Sequence, residues 1–415
     1  MEPRVLCFYL GSREHYRPVM FSTNEVFVSP DGAESADHRG IRALRPPASH
    51  YDVAEILARL PAEQHPELTV VKVDASLRNV PRGLGRLPGR KVLVLGDTHH
   101  LSAPIRRLLD YAAAEPFDLI LSDHDRHHLH FFRKAGFPRV AWIPCLTWRP
   151  FWREPAGRPD IGVAFVGQTG PGHPWRGRVL DAVRDAGLPL RSGRLTQEEA
   201  ANVYARARVS LNCSLNGDLN LRVFEVLAAG GLLLGDRLRP ESGLARIFEE
   251  GRHFVAWSDQ GELIEKARHY LDHPDENRAI REAGRRRIEA LFHPERQRWR
   301  LFDLLFEDRE DPLLSLDDEP RCGVALPVAA AAWERARLYE WLQDLHRPAA
   351  RLRLFGEGGD LAEDGRDLPR LSVHPLAELA AYAGETGVEH LLVLRDDAGL
   401  DAALAEFRGR HVVIE

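Results

Sequence analysis

The chain has 415 residues, 44% hydrophobic and 28% charged, a composition that fits two or three globular domains and excludes a disordered chain. A formal net charge of -6 argues against general nucleic-acid binding. Cys7, Cys145, Cys213 and Cys322 lie far apart with no CxxC pair, which disfavours a zinc cluster or a disulfide framework. MEPRVLCFYLGS carries no signal-peptide pattern, and the longest apolar run, GVALPVAAAAW, is too short to span a bilayer. A cytoplasmic protein without a transmembrane segment is the expectation.

The first half alternates apolar strand-like runs (RVLCFYLG, ELTVVKVD, RKVLVLGD, FDLILSD) with helical patterns such as YDVAEILARL and APIRRLLDYAAAE. That alternation predicts βαβ units and a parallel sheet, whose ligand-binding residues collect in loops at the carboxyl ends of the strands. Gly11, Asp97 and Asp123 fall at such ends. VLVLGDTHH puts Asp97, His99 and His100 just past a buried strand, where a carboxylate or imidazole can act as a general base. Further on, SDHDRHHLH places His124 and His128 four residues apart on a predicted helix beginning near Asp123. That is metal-ligand spacing, although a polar helix without metal accounts for it as simply. The prolines and tryptophans of VAWIPCLTWRPFWREPAGRP mark a packed connection.

A second series follows: IGVAFVG, LRSGRL, VSLNCSL, LLLGD and HFVAWS, again separated by helices and closed by QGELIEKARHYLDH and DENRAIREAGRRRIEALF. The predicted helix Leu221–Ala229 carries Arg222 and Glu225 on one face, while Phe224, Leu227 and Ala228 form its packing face. Asn216-Gly217-Asp218 is turn chemistry, and Asp218 or Asn220 suits the cap. A helix N-terminus flanked by an arginine suits a phosphate, and Glu225 one turn deeper suits ribose hydroxyls. An exposed Arg–Glu pair worth about 0–1 kcal/mol is the plainer alternative.

Three stretches favour the first of these alternatives: GVAFVGQTGPGHPWRGRVLDAV, GRLTQEEAANVYARARVSLNCSLNGDLNLRVFEVLAAGGLLLGD, and FEEGRHFVAWSDQGELIEKARHYLDHP with EAGRRRIEALF. From Ile161 to about Phe306 they resemble the nucleotide-sugar half of group 1, GT-B fold glycosyltransferases, particularly the CgeB-like branch. The resemblance implies an α/β fold of two Rossmann-like parallel-sheet domains facing a cleft. It also implies a donor site built from Gly167, Arg176, Gly193, Arg194, Leu195, Arg222 and Glu225. Arg176 and Arg222 would face the diphosphate, Glu225 the ribose, and Leu195 with its neighbours the base. The family's Glu-x7-Glu pair is incomplete, because the first position falls on Gly217.

The expected organisation is therefore an acceptor-side domain over 1–155, a nucleotide-sugar domain over 156–311 and a small α/β accessory module over 327–415. The linker between the last two is PLLSLDDEPRCG. Asp97, His99 and His100 would be catalytic, with Gly11, Asp123 and His124 on the acceptor side. The donor is a nucleotide-sugar and the acceptor a glycan, protein or small molecule. No cofactor is expected, and transfer would be independent of metal because a helix dipole and arginines neutralise the diphosphate. The module would be separable from the donor site and serve acceptor recognition or assembly into an oligomer, so that a chain ending near Asp318 would fold and bind nucleotide but lose acceptor choice or assembly. FGEGGD at 355–360 lacks GxGxxG spacing and reads as a loop. Two other classes stay open. GDTHH resembles the GDxH element of calcineurin-like metallophosphoesterases, although the GNH and GHxH elements are missing. A non-catalytic GT-B scaffold is the other.

Overall fold

The computed structural model describes residues 2–10, 21–146, 151, 159–170, 173–316, 327–347, 351–355, 363–375, 378, 390–394 and 410–414. Gly11, Cys322 and most of FGEGGD lie outside them. The first half builds an eight-stranded sheet in the order Val140–Trp142, Leu119–Ser122, Arg90–Leu95, Leu68–Val73, Val5–Phe8, Glu25–Val28, Gly40–Leu44, Ser35–Asp37. Every pairing is parallel except the last. Val5–Phe8 and Leu68–Val73 are buried along their whole length, as expected of strands covered on both faces. The second sheet runs Leu190–Gly193, Ile161–Val166, Ala207–Asn212, Leu233–Asp236, Val255–Trp257, all parallel. A third parallel sheet joins Leu371–His374, Leu352–Phe355, His390–Leu394 and Arg410–Ile414. Among the described residues, no helix is long and apolar enough to cross a membrane.

Three local readings change. YDVAEILARL forms only the short helix Ala54–Leu57, because His50–Asp52 pairs as a strand with Val80–Arg82. Val140–Trp142, expected within the connector, is the sheet's edge strand. SDHDRHHLH is not one helix. The chain stays irregular to His128 and the helix runs Leu129–Lys134, so His124 and His128 do not share a helical turn.

The long closing helices also divide. Proline disfavours helical geometry in the residue before it, and His293 is accordingly extended between the helices Pro274–Phe292 and Pro294–Phe306. The second helix returns to the first half and buries Leu301, Phe302 and Leu305 in a core shared with Val5, Cys7, Val70 and Val92. Gln297 donates to the carbonyl of Pro144, and Arg139 donates to that of Leu304.

The C-terminal module is embedded, contrary to a separable appendage. Its helix Pro327–His346 packs on Pro104–Ala114 and Leu129–Lys134 of the first half, with Ala336, Tyr339 and Leu342 buried. Glu340 accepts the backbone N–H groups of Ile105 (2.9 Å) and Arg106 (2.8 Å), capping a helix from another domain. Arg106 Nε adds an ion pair to the same carboxylate at 2.6 Å. Toward the second half, His346 Nδ1 lies 3.1 Å from Asn216 Oδ1, and the amide of Asn216 donates to the carbonyl of His99. Gly217, at φ +83°, approaches so closely that a Cβ there would lie 2.3 Å from the carbonyl oxygen of Asp367.

Gly217→Ala would place that methyl against backbone and force a left-handed conformation on a residue with a Cβ. The expected loss is roughly 2–4 kcal/mol of stability, read from urea-unfolding midpoints. An unchanged midpoint would contradict the contact between the turn and the module.

Candidate active site between the two halves

In the second half, the residues expected at the donor site gather at the carboxyl ends of neighbouring strands. Asn220 caps the helix Leu221–Ala228 by accepting the N–H of Arg222 at 3.2 Å. Asp218, the other candidate cap, instead accepts the N–H of Leu215 within the preceding turn. Arg222 donates from Nε to the carbonyl of Val166 (2.8 Å) and from Nη1 to Asn212 Oδ1 (2.8 Å), with its guanidinium 4.6 Å from the Phe165 ring centre. Arg176, buried one turn into the helix Pro174–Asp185, donates to the carbonyls of Gln168 and Cys213 and lies 5.6 Å from the same ring. The two forks thus meet over Phe165 beside two helix N-termini. Burial, then the neighbouring Arg222 charge, lowers the pKa of Arg176. A Cβ on Gly167 would fall 2.3 Å from Arg222 Nη2, so glycine is what lets the fork lie against the strand end. Gly193 accepts the N–H of Gly167 at 3.0 Å. Gly193 and Arg194 are exposed and Leu195 is half-buried at the rim.

The opposing edge carries two Asp–His pairs on adjacent strands. After Arg90–Leu95, Asp97 Oδ2 lies 2.8 Å from His100 Nδ1, and Asp97 Oδ1 accepts the N–H of His99 at 2.9 Å. After Leu119–Ser122, Asp123 Oδ1 lies 2.6 Å from His124 Nδ1, and Lys72 Nζ pairs with Asp123 Oδ2 at 2.5 Å. In each pair the carboxylate faces Nδ1 of the ring, so Nε2 is the nitrogen turned away from it. Burial alone would raise the pKa of Asp97, but the hydrogen bond and charge of His100 hold it well below the usual range. For His100, burial pulls down and the Asp97 hydrogen bond outweighs it, so its pKa is raised.

The His100 ring centre lies 6.2 Å from that of His173, the N-cap residue of the Arg176 helix. His173 is the point at which the two edges meet, and sequence reasoning passed over it. The signal was its place in GHPW, directly before a proline-initiated helix. Burial, then Arg176 and His100, lowers its pKa to about 4, so it is neutral at pH 7.

His99 does not join this edge. It is buried, with Nε2 2.7 Å from Asp125 Oδ2, and belongs to a cluster with His128. Burial pulls its pKa down, but Asp125 and Asp218 outweigh burial and raise it to about 10. His127 and His130 face the C-terminal module through the carbonyl and carboxylate of Asp364. A bare polar helix therefore does not describe this segment. Among the described residues, the metal-competent group of side chains is His99, Asp125 and His128, which excludes His124.

Residues 149–305 match the family described as "Glycosyl transferase-like". No curated protein matches the chain. Among solved structures, sucrose-phosphate synthase from Thermosynechococcus elongatus is similar at 14% identity and a TM-score of 0.51, covering 74% of this chain and 100% of that one. Anabaena HepE, solved with UDP and glucose, is similar at 10% identity and a TM-score of 0.50, covering 73% and 100%. At such identities the likeness concerns fold, and the fold is of the GT-B type.

Glu225 generates a prediction of its own. It is partly buried, and burial raises its pKa from 4.5 to about 7 against the opposing charges of Arg222 and His124. A carboxyl that holds its proton more tightly when folded destabilises the native state increasingly as pH rises from 4.5 to 7. Glu225→Gln should therefore unfold later than the parent at pH 8, by about 1–3 kcal/mol in urea titrations. The difference should shrink through pH 7 and vanish below about pH 4.5; a pH-independent difference would refute the assignment.

Proposed function

From a GT-B fold whose second half carries a glycosyl transferase-like sequence, we propose that the chain transfers a sugar from a nucleotide-sugar to an acceptor hydroxyl. The observation that carries this is the meeting of Arg176 and Arg222 at two helix N-termini, opposite the Asp97–His100 pair. Partial positive charge from both helices and two guanidinium groups suit a diphosphate, whose negative charge grows as the glycosidic bond breaks. Glu225 accepts ribose hydroxyls, and Gly193, Arg194 and Leu195 present backbone to the base. This arrangement neutralises the leaving diphosphate without a divalent ion beside it.

On the acceptor side, Asp97 fixes the tautomer and orientation of His100. Nε2 then takes the acceptor's hydroxyl proton as its oxygen bonds to the anomeric carbon and the nucleoside diphosphate departs. Asp123 and His124, braced by Lys72, line the same edge beside Glu225. His99 supports the loop from beneath. The metallophosphoesterase alternative is not favoured, because Asp97 and His99 do not share a set of ligands: Asp97 pairs with His100, whereas His99 joins Asp125 and His128.

A thermal-shift panel of UDP, GDP, ADP and TDP, with and without Mg²⁺, tests the donor site. One nucleotide should raise Tm in either condition, since ligands that bind only the native state stabilise it by mass action. Glu225→Ala should weaken binding of that nucleotide by about 1.5–3 kcal/mol in calorimetry. His100→Ala should lower kcat about 10²- to 10⁴-fold while leaving nucleotide affinity intact. If no nucleotide shifts Tm, the scaffold alternative replaces the transferase.

A further inference from the structure

We infer that His99, Asp125 and His128 form a binding site for one divalent transition-metal ion, zinc by donor chemistry, buried behind the Asp97–His100 pair. The three side chains come from loops after two adjacent strands, Arg90–Leu95 and Leu119–Ser122, and each is at most 4% exposed. One donor atom from each of the three lies within 4.8 Å of the others; Asp125 Oδ2 is 2.7 Å from His99 Nε2 and 3.3 Å from His128 Nδ1. Ligands about 2.0–2.2 Å from a common tetrahedral ion sit roughly 3–4 Å apart, so only a small adjustment is required. Two imidazoles and a carboxylate suit zinc and its neighbours, whereas magnesium and calcium prefer oxygen alone.

Several buried polar atoms of this cluster make no hydrogen bond. Nε2 of His99 lies 2.7 Å from Asp125 Oδ2 but lacks hydrogen-bond alignment, and neither ring nitrogen of this buried histidine makes a hydrogen bond. Oδ1 of Asp367 and Oε1 of Gln343, buried in the same cluster, likewise accept none.

The surroundings resemble the outer shell of a metal site. His128 presents Nδ1 toward Asp125 (3.3 Å), while Nε2 on the far side of the ring faces Asp367 Oδ2 at 3.0 Å and the Tyr339 hydroxyl. A carboxylate behind a metal-bound imidazole fixes the tautomer and strengthens the ligand. Asp125 Oδ1 accepts the N–H of His128 at 3.3 Å, which orients the carboxylate; the Thr98 hydroxyl, 2.7 Å from His128 Nδ1, holds the nitrogen that faces the ion and would turn away on binding. Asp367 and Tyr339 belong to the C-terminal module, so the ion would tie the cleft loop to the module. This site stands apart from the diphosphate and does not depend on the chain being a transferase.

Tag-free protein should contain close to one equivalent of zinc per chain by elemental analysis. A strong chelator should remove the zinc and lower Tm, and added Zn²⁺ should restore both. Co²⁺ in its place should give visible d–d absorption that His99→Gln abolishes. Asp367→Asn should keep one equivalent of metal but weaken its affinity about 10- to 100-fold. Because misfolding of a variant would mimic loss of metal, the parent protein decides. Absence of stoichiometric metal together with no Tm change on adding Zn²⁺, Co²⁺, Mn²⁺ or Ni²⁺ would overturn the site and leave an ion-paired His–Asp cluster.

Discussion

The return of the helix Pro294–Phe306 to the first sheet is the constraint on which the rest of the structure depends. Two parallel sheets present polar loops at their carboxyl edges, but separate sheets would have no reason to hold those edges opposite each other. A helix that begins after the second sheet and buries Leu301, Phe302 and Leu305 against the first removes much of that freedom. His100 and His173 then face one another across a fixed gap.

Within that gap the charged groups hold one another and the backbone in place. Arg176 and Arg222 are held by carbonyls and by the face of Phe165, and Asp97 and Asp123 each orient a histidine. Such preorganisation lowers the reorganisation needed when charge develops during a reaction. The absence of a glutamate eight residues before Glu225 also has a structural counterpart: Gly217, at that position, lies under the backbone of Asp367. A side chain there would collide with the module.

The sheets were legible because buried parallel strands read as continuous apolar runs, and Leu190–Gly193, though mostly exposed, still lay in register with them. The helix that carries Arg222 and Glu225, and Asn220 as one of its two candidate caps, were legible because helix-start chemistry is local. The histidine-rich segment was misread because four-residue spacing imitates a helical face, while its real partners, Asp364 and Asp367, lie more than two hundred residues away. His99 and His100 are neighbours in sequence yet enter different environments, a separation that no periodicity reveals. His173 and Lys72 acquire their importance only from the opposite edge of the cleft or from a neighbouring strand.

Glu340 has a consequence for how the chain reaches this state. The helix Pro104–Ala114 begins with backbone donors that this glutamate satisfies from 235 residues further along. During synthesis the helix leaves the ribosome long before its cap exists. Contacts of such sequence separation form late, because a large loop must close before they contribute. The nascent first half therefore passes through a stage with an unfinished helix end and an apolar face awaiting Ala336, Tyr339 and Leu342. That stage is the one most exposed to chaperone capture or self-association.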